Sequence, residues 1–385
     1  MSQLKVNTIR HTGASSDAIT LASDGTATAK ITNNLSNRNL LYNGAMQVSE
    51  RGTTFNYTST PNYGLDRWRH TVGSSFNFDT TMTQDSSGPD GFTKCLKVTP
   101  DSAVTPTGGH NGAIAQRLEG LDCQSLCHGT SSAKKVTLSF YAKSGSQNNN
   151  HQYGVQLFKT SSGGSTFNVT KAFTITSSWQ RFTMTFPGDT SNDIEDDNSE
   201  RLRVIFHLAT GPDDISSEVS TWTSSNIFRA VTGQDNFMDN TSNEFYLTGV
   251  QLEVGDTATD FEHRSYGDEL IKCQRYYRRI KAESTNRYIT HGVVDGDGNT
   301  VQTFILFETP FRSTIHTFET TGTGGDYQIR RDTNKECGSV PSGDAYTDRS
   351  CYIGFTSNSH GWGTGDAAFG MFKSSSAYLG FSAEL

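Results

Sequence analysis

Three groups of residues in this 385-residue chain carry side chains from which chemistry could be built. Cys123-x3-Cys127-His128 offers three zinc donors, but no second ligand pair stands at a matching distance, so half-buried thiols are the plainer reading. Within DTSNDIEDDNSE, residues Asp193 to Glu200 hold five acids in eight positions, a run that suits a solvated loop or a calcium site. The stretch DGDGN, from Asp295, begins like a calcium loop. It fails at the position of the bidentate Glu, which is Leu306, and a turn between two strands explains it.

Nothing in the chain reads as an activated nucleophile, a nucleophile elbow or a metalloprotease helix, and no facing pair of carboxylates can be singled out. The expectation is a non-enzyme with no cofactor and no metal. Binding is another matter, because a flat ring stacks on a sugar face while polar neighbours take its hydroxyls. Trp222 in SSEVSTWTSSNIF, taken as a long loop, is one such candidate; Tyr346, His360 and Trp362 near the C-terminal loops are the others. For each the plainer reading is that it fills a thin core.

Strands must position these groups. Segments such as KVTLSFYAKSG, YGVQLFKT, TFNVTKAFTIT and EFYLTGVQLEVG have strand length and are bounded by Gly, Ser, Asn or Pro. RFTMTF puts Phe182, Met184 and Phe186 on one face, the period-two pattern of a half-buried strand. Many short strands with turn signals between them imply a two-sheet sandwich. The N-terminal LKVNTI and AITLASDGTATAKI read as an arm of short strands with an Asp-Gly turn, too small to stand alone in water. Its apolar positions Leu4, Val6, Ile9, Ile19 and Leu21 would face a second copy or a partner, unless the arm is a loose leader.

One segment breaks the strand texture. In YGDELIKCQRYYRRI, Leu270, Cys273, Tyr277 and Ile280 recur at helical spacing, with Asp268 and Glu269 at the front and Arg278 and Arg279 at the back, as a helix dipole favours. A helix this short needs a packing partner. Its stripe could dock on the adjacent sheet or pack against sister helices about a symmetry axis.

Composition bounds the rest. Hydrophobic residues make up only 33%, yet 23 Phe, 14 Tyr and 4 Trp are kept, which indicates folded β structure with polar loops instead of disorder. A net charge of −8 argues against a general nucleic-acid binder. No run of about 20 apolar residues suits a membrane span, and the N-terminal stretch has no signal-peptide character. Six scattered cysteines fit assembly in a reducing cytoplasm.

The residues also carry a resemblance. NRNLLYNGAMQVSERGTTF followed by NYGLDRW, then AQRLEG, VTLSFYAKSG, SWQRFTMTF and GVQLEVGDTATDFEHR in that order, with ELIKCQRYY after them, resembles a domain of bacteriophage tail-fibre and virion proteins. The leader is similar to the attachment end of marine-phage fibres. The resemblance covers most of residues 1–280 and implies the jelly roll of carbohydrate-binding modules, with Trp68 and Trp179 inside strands and facing the interior. The fold expected is mainly β: an N-terminal attachment arm (1–36), a jelly-roll β-sandwich (37–265), a short linking helix (266–280) and a C-terminal distal β domain (281–385).

The function implied is a virion structural protein assembled in the host cytoplasm. It would be a homotrimeric tail fibre or appendage that clips to other virion proteins through the arm and presents β domains to host-surface polysaccharide. A purely architectural head fibre, decoration or tail adaptor is the alternative, and a polysaccharide-degrading tailspike a more distant one. The family often holds a structural calcium between an acid near the first strand and one in the last. Here those positions are Gln47 and Gly249, which departs from that pattern.

Overall fold

The computed structural model describes residues 6–15, 17–23, 25, 27–29, 36–58, 60–224, 229–296, 298–315, 317–344, 346–357 and 361–385. Leu4 and His360, both named above, lie outside these. The chain is mainly β, with its largest unit a jelly-roll sandwich of two antiparallel sheets. One sheet has six strands in the order Gln180–Phe186, Val136–Ser144, Phe245–Val254, Cys95–Pro100, Thr80–Asp85 and Thr54–Tyr57. The other has seven: Val219–Thr223, Thr166–Thr174, Gln152–Thr160, Glu200–Thr210, Asn111–Glu119, Arg69–Gly73 and Asn62–Tyr63.

Alternation along each strand builds the interior. Leu202, Val204, Phe206 and Leu208 point inward from one strand and meet Leu138 and Phe140 from the opposite sheet, with Trp68 fully buried among them. Phe140 meets Phe173 and Phe206 edge-on at ring-centroid distances of 5.1 and 5.0 Å, a favoured aromatic geometry. Met184 and Phe186 face this core, as their alternation predicts.

Three tryptophan expectations need correction. Trp68 is fully buried but stands just before the strand that begins at Arg69, not within it. Trp179 precedes the strand that begins at Gln180 and is only half-buried; its indole N–H donates to the Ser87 carbonyl at 2.9 Å, and its ring meets Tyr246 edge-on. Trp222 lies in the edge strand Val219–Thr223 and not in a loop, because that segment pairs with Thr166–Thr174.

The arm forms a three-stranded antiparallel sheet from Thr8–Ile9, Ile19–Leu21 and Ala27–Ala29. Val6, Ile9 and Leu21 are exposed and Ile19 half-buried.

The distal domain also has two sheets. Three strands, Tyr277–Lys281, Tyr378–Ser382 and Thr317–Thr320, form one. Seven form the other, ordered Asn334–Glu336, Tyr327–Arg330, Ala367–Phe372, Arg287–Val294, Thr300–Leu306, Ser350–Thr356 and Ser342–Asp344. The expected DGDGN turn joins two of them, with Gly298 N–H donating to the Asp295 carbonyl.

The linking helix is shorter than its charge pattern predicts. It runs Tyr266–Gln274, capped by Ser265, whose hydroxyl oxygen accepts from the Asp268 N–H at 3.2 Å. Tyr277 and Ile280 belong instead to a strand, because Tyr277–Lys281 finds a full ladder on Tyr378–Ser382. Pairing outweighs the modest helix preference of these residues, and Tyr and Ile suit a sheet well. The four-residue stripe is therefore divided. Leu270 and Cys273 are on the helix, half-buried and buried, while Tyr277 is buried and Ile280 half-buried at the start of the distal domain. Cys273 and Tyr277 face their own chain and are not free to line an axis.

Between helix and strand only Arg275 and Tyr276 intervene, and here the two domains lock together. Arg67 pairs with Glu384 and lays its guanidinium 3.3 Å from the Tyr276 ring centre. Arg51 reaches Glu384 at 3.3 Å and Asp66 at 3.9 Å, and sits 3.5 Å from the ring centre of Tyr277. Arg275 grips Glu119 with two bonds, of 2.8 and 2.7 Å, and the Tyr276 hydroxyl donates to the same carboxylate. Arg312 donates to the Ala383 and Asn198 carbonyls at 2.6 and 2.9 Å.

Candidate functional site

The outward side of the jelly roll's seven-stranded sheet carries the residues left over when alternate positions fill the core. Their register can be read strand by strand. Arg69 stands opposite Ala115 and Thr71 opposite Ala113. Ala115 in turn faces Ile205, Ala113 faces His207, and Arg117 faces Arg203. Beyond them His207 pairs with Gly154, Ile205 with Gln156 and Arg203 with Phe158.

The small Ala113 and Ala115 therefore make a low floor, together with Ile205, while longer side chains rise on both flanks. The result is a cleft of about 430 Å³, into which Arg69, Arg117, Arg203 and Arg229 all project. Four guanidiniums face two carboxylates: Glu200 pairs with both Arg117 and Arg203, and Asp214 with Arg229 at 2.6 Å. Among the described residues Arg69 is in no ion pair; its guanidinium lies 5.7 Å from the Tyr63 ring centre. The cleft thus carries surplus positive charge on a chain whose net charge is −8.

Its neutral polar groups are Thr71, Asn111, Gln156, Thr166 and His207, with His207 Nε2 3.1 Å from Gln156 Oε1. Burial, aided by Arg229, lowers the His207 pKa to about 3, so this imidazole is uncharged at neutral pH. Its Nδ1 is buried without a hydrogen-bond partner. The aromatic ring in the cleft, Phe158, is covered by Arg203 at 5.0 Å. The arrangement offers charge and hydrogen bonds to a ligand, with little open ring surface for stacking.

None of the described aromatic candidates from the sequence lines this cleft. Trp222 donates its indole N–H to the Pro187 carbonyl at 2.8 Å, meets His128 edge-on, and has the buried Lys159 ammonium 4.9 Å from its ring centre. Tyr346 and Trp362 pack half-buried against the distal core.

The acidic run also finds local partners. Glu195 and Asp197 hold Arg201, Asp193 accepts from the Ser162 N–H, and Glu200 serves the cleft. His128 Nδ1 lies 3.3 Å from Lys159 Nζ. No three His, Cys, Asp or Glu side chains converge as a metal site among the described residues. Gly249, where the resemblance implied a calcium ligand, has φ +59°, and an added Cβ would come within 2.8 Å of the Phe92 and Tyr141 rings. Only glycine fits there.

The cleft residues were missed in the sequence because they are scattered over five strands. A signal did exist: RLRVIFH alternates Arg201, Arg203, Ile205 and His207 against the buried Leu202, Val204 and Phe206.

No protein-family model matches this chain, and no curated protein does. Among solved structures it is similar to a putative sugar binding protein from Bacteroides thetaiotaomicron VPI-5482, at 15% identity and TM-score 0.31, covering 56% of this chain and 100% of that one. It is also similar to the CBM22-1 xylan-binding domain from Paenibacillus barcinonensis Xyn10C, at 11% identity and TM-score 0.30, over 57% of this chain and 96% of that one. A third similarity is to the enzymatically active domain of bacteriophage CBA120 tailspike protein 4. There the identity is 12% and the TM-score 0.29, over 56% of this chain but 21% of that one.

Proposed function

We propose that the chain is a non-enzymatic structural protein of a bacteriophage particle that binds an acidic glycan in the jelly-roll cleft. The observation that carries the binding is the set of four arginines around a floor of small residues, with Arg69 outside any ion pair among the described residues. A guanidinium matches a carboxylate or sulfate with two parallel hydrogen bonds, which favours an anionic sugar over a neutral one. Gln156 and His207 bond to one another in the cleft, and the covered ring of Phe158 argues against stacking as the main contact.

The phage setting is supported by the ordered motifs of residues 37–264 and by the small apolar arm, whose Ile9 is 52% exposed and calls for a partner. In this reading the arm attaches to other particle proteins and the cleft faces a host polysaccharide.

The test is affinity electrophoresis and titration calorimetry of the full chain against polygalacturonate, a sulfated glycan and neutral dextran. Retention by an acidic polymer, weakened by salt, is expected, with Arg69→Ala weakening it roughly 10- to 100-fold. No acidic polymer retained, or equal binding by Arg69→Ala, would refute the assignment.

A further inference from the structure

The seven-stranded sheet of the distal domain buries one face and leaves the other apolar and open. Val301, Thr303, Ile305, Ile353 and Phe355 point into the core. Their outward neighbours are unusual for a surface: Leu306 is 79% exposed, Phe304 66%, Tyr288 55%, Val293 47% and Phe369 42%. The rings of Tyr288 and Phe369 lie 5.0 Å apart, and those of Phe304 and Tyr352 6.1 Å, so two aromatic pairs stand side by side on four adjacent strands. Four strands at ~4.8 Å spacing and ~3.4 Å per residue make an apolar rectangle on the order of 400 Å². Patches of that size on a protein surface mark a binding face.

The register shows what would cover it. Arg330 is opposite Phe369, Phe369 opposite His291, Phe304 opposite Tyr352, and Tyr352 opposite Asp344. The pair Gly292 and Thr303 brings His291 level with Phe304. One transverse row therefore reads Arg330, Phe369, His291, Phe304, Tyr352, Asp344, positive at one end, negative at the other and aromatic between. A two-fold axis parallel to the strands, between Arg287–Val294 and Thr300–Leu306, turns this row onto its own reverse. Arg330 then meets Asp344 of the second copy, Phe369 meets Tyr352, and His291 meets Phe304. The row is its own complement, which is the requirement of an isologous interface.

We infer that two copies of this chain pair face to face through this sheet, as the layers of a β-sandwich do. The whole seven-stranded face measures roughly 700 Å², so the pair would bury on the order of 1,400 Å², within the range of specific, stable interfaces.

Sedimentation of the full chain tests this. A dimer is expected, with Phe304→Asp/Leu306→Asp raising its dissociation constant at least about tenfold. The thermal melt of the separated chains should be little changed, because both side chains are mostly exposed. Arg330→Glu should weaken pairing, and Arg330→Glu with Asp344→Arg should restore it. The proposal is overturned by a wild-type chain that stays monomeric, by a trimer, or by pairing that survives both aspartates. Failure of the charge reversal to rescue overturns the two-fold register. A monomer whose retention by a glycan is lost in Phe304→Asp/Leu306→Asp would give the face to sugar instead.

Discussion

Glu384→Gln removes the carboxylate that two buried guanidiniums share. The Arg67, Arg51 and Glu384 side chains are only 1, 7 and 4% exposed, so little water can replace the lost charge. Breaking a buried pair by removing one partner costs about 3–5 kcal/mol, because the other charge is left stranded. Three features pull this toward the lower end. Gln keeps the volume and one acceptor, Arg51 retains Asp66 at 3.9 Å, and both guanidiniums remain over tyrosine rings, contacts worth ~0.5–2 kcal/mol each. The expected loss is therefore about 3 kcal/mol, read from urea unfolding followed by tryptophan fluorescence at neutral pH. The control is Glu336→Gln, whose pair with Lys373 is largely in water and should cost less than ~1 kcal/mol. A loss below about 1 kcal/mol for Glu384→Gln would mean that the joint is wet, and the reasoning would fall.

Two further outcomes follow from the interior. Gly249→Ala forces a Cβ between two rings at a left-handed backbone position and should destabilise the chain by about 2 kcal/mol or more; an unchanged melt would refute that packing. Burial above all lowers the pKa of His70 and His128 to about 4 and of His207 to about 3, whereas an unfolded histidine titrates near ~6.5. Between those values the unfolded chain binds more protons, so stability present above pH ~6.5 is lost as pH falls. Asp66 and Glu50, raised mainly by burial to about 6 and about 7, act in the opposite sense. Burial also raises the Asp122 and Asp214 carboxyls, but the three histidine shifts dominate between pH 5 and 7, and urea midpoints should be lower at pH 5 than at pH 7, with His207→Gln reducing the difference. A higher midpoint at pH 5 would contradict this.

Much of the fold was legible because strand periodicity is a local property. The turn at Asp295 and the inward Met184 and Phe186 follow from neighbouring residues. The end of the helix was not, since Tyr277 and Ile280 respond to a ladder with residues about a hundred positions away. The cleft was hidden for a related reason. Arg69, Arg117 and Arg203 each occupy an ordinary outward strand position, and only the sheet order makes them neighbours. The sequence suggests a loop around Trp222, whereas Trp222 serves a strand and its packing.

The two-residue crossing at Arg275 and Tyr276, clamped by Glu119, Glu384 and Arg312, leaves no slack between the jelly roll and the distal domain. Domains joined by a loose tether sample many separations, and a second binding event then gains only what the tether's reach allows. Here the distance from the arginine cleft to the distal sheet is a fixed property of one chain. In a face-to-face pair, the two clefts would be held at one spacing. A repeating polymer whose charges match that spacing would be gripped at both ends with high effective concentration, and one out of phase would gain nothing from the second cleft. Selectivity by the period of a polysaccharide would thus arise from the stiffness of a joint that touches no sugar.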